Sequence, residues 1–412
     1  PPHTDPPTPA IYTFIASSAA SDVYKRQAVL TVLLHRQPRV QQAASIAGAA
    51  ALLVCALWLI ETISADGVVA VAMGSWPLPF AIELGADRLS VIMVLVTAVL
   101  GLGVLVYQCG SQESMHASDM LHPLIHGLLA AVCGTVLTAD LFNLYVWFEL
   151  MLITVLGLLV VHQGLRNLEA AFKYFALNLL GTLLFLSAVA MLYGATGQLN
   201  FSALGEVSQR AELRDVIPVY IAMLFTAFLL KAAAFPLFFW LPASYHTLPA
   251  PLLALIGGLI TKVGIYVLLR LSGEVFIDQP AVFYQALGWI AVVTMVSGVL
   301  GAAYHWDLRR ILAFHIISQI GYLLLAVALA TPAGGTAGVF FLVHNILAKA
   351  SLFLIAGIMW QTAGHYDLRR IGGLYPARPL LAILFLIAGF SLVGVPPSSG
   401  FWGKFLLVQE SF

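Results

Sequence analysis

The chain contains six lysines, and their positions are its first chemical signal. Lys173, Lys231, Lys262, Lys349 and Lys404 fall inside long apolar runs; Lys25 lies near the start. Arginine behaves in the opposite way, with nearly every copy between the runs or at their ends. A charge at the centre of a bilayer costs about 2.5–3.5 kcal/mol on insertion scales. Side chains serving only as interfacial anchors would use the two cations interchangeably. Buried lysine can give up its proton, whereas arginine effectively cannot. Lysine inside and arginine outside is therefore the choice a proton relay requires.

Glu149 is the one carboxylate placed deep in an apolar run, within Asp140-Leu-Phe-Asn-Leu-Tyr-Val-Trp-Phe-Glu149. A lone buried carboxylate needs a cation, and Lys231, central in its own run, is the natural partner. The pair reads either as a coupled proton site or as a static ion pair. Lys262 is also central, in Gly257-Gly-Leu-Ile-Thr-Lys262-Val-Gly264, too far from either interface to snorkel. His344 and Lys349 share a run with Asn345 and Ser351. They are five residues apart, so only a bulge or break would align them, and π-bulges favour functional sites. His344 alone also fits a satisfied buried histidine.

Weaker candidates follow. His315, Ser318, Gln319 and Tyr322 form a polar stripe that is either hydrated or purely structural. His246 follows a proline-broken run near the cytoplasmic side and is a candidate proton-entry group. Lys173 lies one turn after Glu169, a favourable pair near an interface. His122 and His126, one turn apart, lack a third ligand, so a structural or uptake role is expected instead of a metal site. The cysteines Cys55, Cys109 and Cys133 are scattered, without a CxxC or Cys/His cluster. No metal and no cofactor are expected.

The elements that position these groups must be membrane helices. Of the 412 residues, 61% are hydrophobic and 9% charged, against roughly 25% charged in soluble domains. The runs approach the ~20 residues that a spanning helix needs, and lipid requires backbone groups to be satisfied within a helix. Strands of barrel type are absent from this reading. Zero formal net charge argues against a nucleic-acid partner. The expected spans are a partial helix at 28–35, then 43–63, 88–108, 121–138, 140–161 and 168–193. They continue with 217–242, 251–271, 283–304, 309–330, 336–360 and 380–412, about twelve in all.

Residues 1–27 are proline-rich and then polar, unlike the rest, and read as an atypical or artefactual segment replacing the start of a first helix. The chain also stops within what reads as a helix. Arginine placement orients the spans. With Arg36 and Arg39 cytoplasmic, alternation puts Arg166, Arg309, Arg310, Arg369, Arg370 and Arg378 on the same side. Arg88, Arg210, Arg214 and Arg270 fall opposite, among many acids. An echo supports this: His305-Trp-Asp-Leu-Arg-Arg-Ile311 recurs as His365-Tyr-Asp-Leu-Arg-Arg-Ile371.

Breakers reveal a larger repeat. Run 217–242 carries Lys231 then Pro236 and Pro242; run 380–412 carries Pro396, Pro397 and Gly400 then Lys404. Broken helices at membrane depth survive only where they are buried or line a polar cavity. Units 121–271 and 283–412 each place the broken helix fourth, and five spans in the first invert the second. Residues 28–120 supply helices 1–3. Paired discontinuous helices in inverted repeats mark a transporter's ion pathway. The expected fold is an all-α polytopic membrane protein with two inverted five-helix repeats.

Several strings resemble a known superfamily: LFNLYVWFELMLI (141–153), LKAAAFPLFFWLPASYHTLPAP (230–251), GGLITKVGIYVLLR (257–270), DLRRILAFHIISQIGY (307–322) and VPPSSGFWGKF (395–405). They are similar to the antiporter-like subunits shared by complex I and Mrp-type multisubunit sodium/proton antiporters. Residues 141–153 and 230–251 look most like the Mrp D subunits. The resemblance covers residue 28 onward and implies about fourteen helices, of which twelve are seen here. It implies Glu149 and Lys231 as a coupled pair, Lys262 as central relay, His344 or Lys349 as a further relay, and Lys404 as the lysine of the second broken helix. The start of the first helix does not match the family, and its final helices are missing from the sequence.

The expected function is proton translocation within a cation (Na+)/H+ antiporter in a bacterial-type inner membrane, beside other antiporter subunits and without enzymatic chemistry. The alternative is a pumping subunit of a complex I-like oxidoreductase or membrane-bound hydrogenase. A self-contained sodium transporter ranks lowest, since Glu149 has no second carboxylate beside it.

Overall fold

The structure is a computed structural model describing residues 23–73, 81–110, 118–161, 164–213, 215–277 and 279–411. Readings on residues 1–22, Arg214 and Asp278 lie outside the described residues. The protein is a polytopic bundle of α-helices. Eight described helices are long and apolar enough to cross a membrane. In chain order the first elements are α1 (23–33), α2 (Pro38–Asp66), α3 (Arg88–Gly110), α4 (Leu121–Leu137), α5 (Leu141–Val160) and α6 (Leu165–Thr196). A short α7 (Phe201–Ser208) precedes α8 (Ile217–Ala232), α9 (Trp240–Tyr245) and α10 (Ala250–Arg270). The rest are α11 (Ala281–Tyr304), α12 (Leu308–Leu329), α13 (Pro332–Ala363), α14 (Leu374–Ala377), α15 (Pro379–Val393) and α16 (Ser399–Gln409).

Helix starts follow local chemistry. Asp140 accepts from the Asn143 N–H to cap α5, and Asp307 accepts from Arg309 and Arg310 to cap α12. Thr331 caps α13 ahead of Pro332, and Ser398 caps α16. Each such side chain satisfies an amide that the first turn leaves unpaired. Helix α10 runs through the middle of the bundle. Every residue from Ala250 to Leu269 is buried, because α10 packs on α3, α4, α8, α12 and α13 at once. In contrast α15 buries only Leu381 and Leu392, as expected of a helix facing lipid. Small residues set the α11–α12 contact. A Cβ on Gly298 would lie 2.3 Å from the Ser318 amide nitrogen, so only glycine permits that approach.

Both expected discontinuities are present. Helix α8 stops at Ala233 in the left-handed region, and α9 resumes at Trp240. Helix α15 stops at Gly394, also left-handed, and α16 resumes at Ser399. The all-α fold is as expected, with local differences from the expected elements. Val69–Ala72 pairs antiparallel with Glu83–Ala86 in a two-stranded ribbon outside the spans; Pro77 and Pro79 in the connecting sequence exclude a continuous helix. The helix expected at 28–35 already includes 23–27, so part of the supposed artefactual stretch is helical. Helix α13 is a regular α-helix, so the bulge or break that would have aligned His344 and Lys349 is not there. The π-turn lies instead at Leu271–Val275, after α10.

Candidate functional site

Helix α5 holds Glu149, α6 holds Thr182 and α8 holds Lys231. The Thr182 hydroxyl donates to Glu149 Oε1 at 2.7 Å, and Lys231 Nζ donates to Thr182 Oγ1 at 3.2 Å. Glu149 and Lys231 are thus joined through a hydroxyl, not by the direct ion pair expected from sequence. Thr182 is buried at 4% exposure, Lys231 at 5%, while Glu149 is half-buried. A hydroxyl that accepts from one ionisable group and donates to another can pass a proton by moving two hydrogens together. Lys231 Nζ also lies 5.2 Å over the Phe148 ring. It sits in the last turn of α8, at the negative end of that half-helix. Lys231 also borders a small cavity of about 10 Å³ shared with Tyr174, Asn178 and Ile260 of α10.

Next along the bundle is Lys262, fully buried on α10. Its ammonium donates to the carbonyl of Gly257, five residues back, at 2.7 Å. Gly264, two residues on, faces Ala232 at the end of α8, so the Lys231 and Lys262 elements touch. Lys349 on α13 is fully buried and its ammonium has no hydrogen-bond partner. Gly258 of α10 faces Ala350 beside it. Lys349 lies in the electrostatic range of Lys262 and Lys404, and His315 in that of Lys349 and Lys404.

The second break gathers another group. His344 Nδ1 and Ser399 Oγ are 2.9 Å apart, with His344 Nε2 unpartnered. Gly400 allows this crossing: a Cβ there would meet His344 Nε2 at 2.8 Å and collide with the Ser391 carbonyl. Lys404 Nζ donates to the carbonyls of Leu392 and Val393 at 3.2 and 2.9 Å, capping the end of α15, and lies 4.8 Å over Tyr322. His344 and Lys349 do not converge, because a regular helix turns five residues to different faces; His344 meets α16 and Lys349 stays beside α10. The polar stripe also splits. Gln319 meets Asn345 at 3.4 Å, whereas Ser318 backs onto Gly298.

Other candidates fall outside this file. Lys173 is exposed and paired with Glu169 at 2.5 Å. His122 Nδ1 and His126 Nε2 both approach Ser45 Oγ, at 3.0 and 2.8 Å, so a serine occupies the point where they converge. Among the described residues no group of three His, Cys, Asp or Glu could hold a metal.

His246 lines a polar cavity of about 910 Å³ at one end of the bundle, with Arg166, Arg309, Arg310 and Arg369. Burial lowers its affinity for a proton, and the nearby Arg310 and Arg309 charges lower it further. Four of the arginines assigned to one face by alternation therefore do share it. The two sequence echoes meet there as an antiparallel bridge at Asp307 and Asp367. Arg309 stacks on Tyr366 at 4.1 Å and Arg369 on Trp306 at 5.7 Å. The clasp, Thr182 and Ser399 escaped the sequence reading. For Thr182 the signal was only a hydroxyl within an apolar helix, which is common and uninformative by itself.

Comparison with known proteins gives one consistent picture. Residues 138–412 match the family described as NADH:quinone oxidoreductase/Mrp antiporter, transmembrane. The D component of the Na(+)/H(+) antiporter of Alkalihalophilus pseudofirmus is 36% identical over 381 residues, 92% of this chain and 77% of that protein. A chain of the Mrp complex from Dietzia sp. DQ12-45-1b superposes with TM-score 0.89 at 32% identity, covering 96% of this chain and 74% of that one. A chain of the membrane-bound sulfane sulfur reductase, an archaeal respiratory membrane complex, superposes with TM-score 0.90 at 25% identity, covering 96% and 81%. This chain belongs to the NADH:quinone oxidoreductase/Mrp antiporter family of transmembrane proteins.

Proposed function

We propose that this chain is the proton-translocating membrane subunit of a multisubunit Na+/H+ antiporter, working beside other antiporter subunits in a bacterial-type inner membrane. The observation that carries this reading is the hydroxyl-bridged Glu149–Thr182–Lys231 unit, followed by Lys262 whose ammonium rests on one backbone carbonyl. In the proposed path a proton held at Lys231 moves to Lys262, on to Lys349, and then to Lys404, with His315 and His344 flanking the last step. Protonation of Glu149 weakens its hold on Thr182 and frees Lys231 to pass its proton on. The repeat units are proposed as 121–271 and 283–412, preceded by helices in 28–120.

The test uses the complete antiporter assembly in inside-out vesicles. Glu149→Ala and Lys231→Ala are each expected to abolish sodium-dependent proton movement while the assembly still purifies intact. Full activity in either variant overturns the relay. A second reading, a pumping subunit in a redox-driven complex, draws on the likeness to a chain of a respiratory membrane complex, at TM-score 0.90 and 25% identity. Proton movement driven by an electron donor and indifferent to sodium would select it.

A further inference from the structure

The basic cavity at the arginine-rich end is not used by the relay. Four arginines line it, Arg166, Arg309, Arg310 and Arg369, against two aspartates, Asp307 and Asp367, an excess of two positive charges. The acids are already engaged. Asp307 pairs with Arg309 at 3.3 Å and Asp367 with Arg369 at 2.7 Å. Among the described residues, the Arg310 N–H donates to the Asp307 carboxylate and its side chain meets His246 Nε2 at 3.4 Å. Arg166 has no acidic partner among the described residues. Two guanidinium groups therefore line this space without an acidic side-chain partner among the described residues.

A second cavity adjoins it. An apolar groove of about 440 Å³ is lined by Val160, Gly164, Leu165 and Leu168, and it shares Asn167 with the basic cavity. Leu165 is 87% exposed and Leu168 60%. The rim of the basic cavity carries Tyr304 and Trp306, both exposed, the residues that favour the level of lipid headgroups. A charged chamber joined to an apolar groove at the end of a membrane bundle matches a molecule with a charged head and a hydrocarbon chain.

We propose that this double cavity binds an anionic phospholipid, its phosphate held between Arg166 and Arg310 and one acyl chain laid along Leu165 and Leu168. Guanidinium suits phosphate because its planar donors engage two oxygens at once. Basic pockets between helices on the positively charged side recognise such headgroups generally. A free phosphate would use the arginines but gain nothing from the groove; a zwitterionic lipid would use the groove but meet the excess charge less well.

The test measures binding of radiolabelled phosphatidylglycerol to the complete assembly after detergent washing. Unlabelled phosphatidylglycerol, phosphatidylcholine and inorganic phosphate serve as competitors. Arg166→Gln combined with Arg310→Gln is expected to weaken one saturable site about tenfold or more, and Leu165→Ser with Leu168→Ser to weaken the same site. Arg378→Gln, exposed on the same face outside the cavity, is expected to leave it unchanged and reports that the fold tolerates loss of a surface arginine. Unchanged binding in the double arginine variant overturns the proposal. Equal competition by phosphatidylcholine overturns headgroup recognition, and competition by inorganic phosphate as effective as by lipid shows a free-phosphate site instead.

Discussion

Thr182 is the smallest part with the largest expected effect. It donates its single hydroxyl hydrogen to Glu149 and accepts one from Lys231. Replacement by valine keeps the shape and removes both bonds, leaving a buried ammonium without its hydrogen-bond acceptor. Losing a partner from a buried charged group costs roughly 1–3 kcal/mol or more, and Glu149 loses its link to the lysine. Thr182→Val is expected to lower antiport at least about tenfold in vesicles of the complete assembly, while Thr182→Ser keeps most of it. Equal activity in the two variants would show that Glu149 and Lys231 act without the bridge. The lysines themselves were legible in the sequence because a cation inside an apolar helix is expensive and rarely accidental. The threonine was not, because a hydroxyl in such a helix is usually satisfied by its own backbone, as Thr154 and Thr226 are here.

At the scale of elements, the two broken helices are matched in plan and differ in chemistry. Each first half ends on a left-handed residue, Ala233 with φ 62° and Gly394 with φ 94°. Left-handed backbone costs an L-residue roughly 1–2 kcal/mol, so α8 carries that cost at Ala233 and α15 avoids it. A Cβ at Gly394 would also stand 3.2 Å from Lys404 Cδ, so the stem of the lysine that bonds the Leu392 and Val393 carbonyls would have to give by a few tenths of an ångström. Gly394→Ala is therefore expected to lower thermal stability by about 1–2 kcal/mol and to impair transport. Ala233→Gly should be near neutral, because relief of backbone strain is offset by about 0.5–1 kcal/mol of added glycine chain entropy. Thermal unfolding of the two purified variants checks the contrast; a loss in both would mean that the breaks depend on side-chain packing more than on backbone region. Proline and glycine located both breaks in the sequence. Nothing there reported the regularity of α13, since His344 and Lys349 at a spacing of five fit either a bulge or two separate faces, and the partners that decide lie on α16 and α10.

For the whole molecule, long-range contacts hold the central helix in place, and they were the least legible features of all. Arg270 ends α10 and pairs with Asp87, 183 residues away, at 2.6 Å, while also meeting Ser90, Tyr266 and Glu274. The sequence placed Arg270 on a face with many acids but could not single out Asp87 as its partner, because distant segments carry no record of each other. Burial alone would raise the Asp87 proton affinity; Arg270 and the Ser90 N–H outweigh it and hold the carboxyl below its usual range. A folded-state value depressed in this way gives stability that is fully present above the unfolded carboxylate value of about 4. That stability fades as pH falls through the lower folded value. Asp87→Asn leaves Arg270, whose side chain is 12% exposed, with Glu274 as its remaining acid. The variant is expected to lose roughly 1–3 kcal/mol near neutral pH, read as a lower unfolding temperature of the full chain in detergent. The deficit relative to the parent should narrow below pH about 4, where the parent loses the same charge. A deficit independent of pH down to that range would mean that the loss comes from packing of the substituted side chain and not from the charge of the ion pair, since asparagine retains the oxygen that caps the Ser90 N–H.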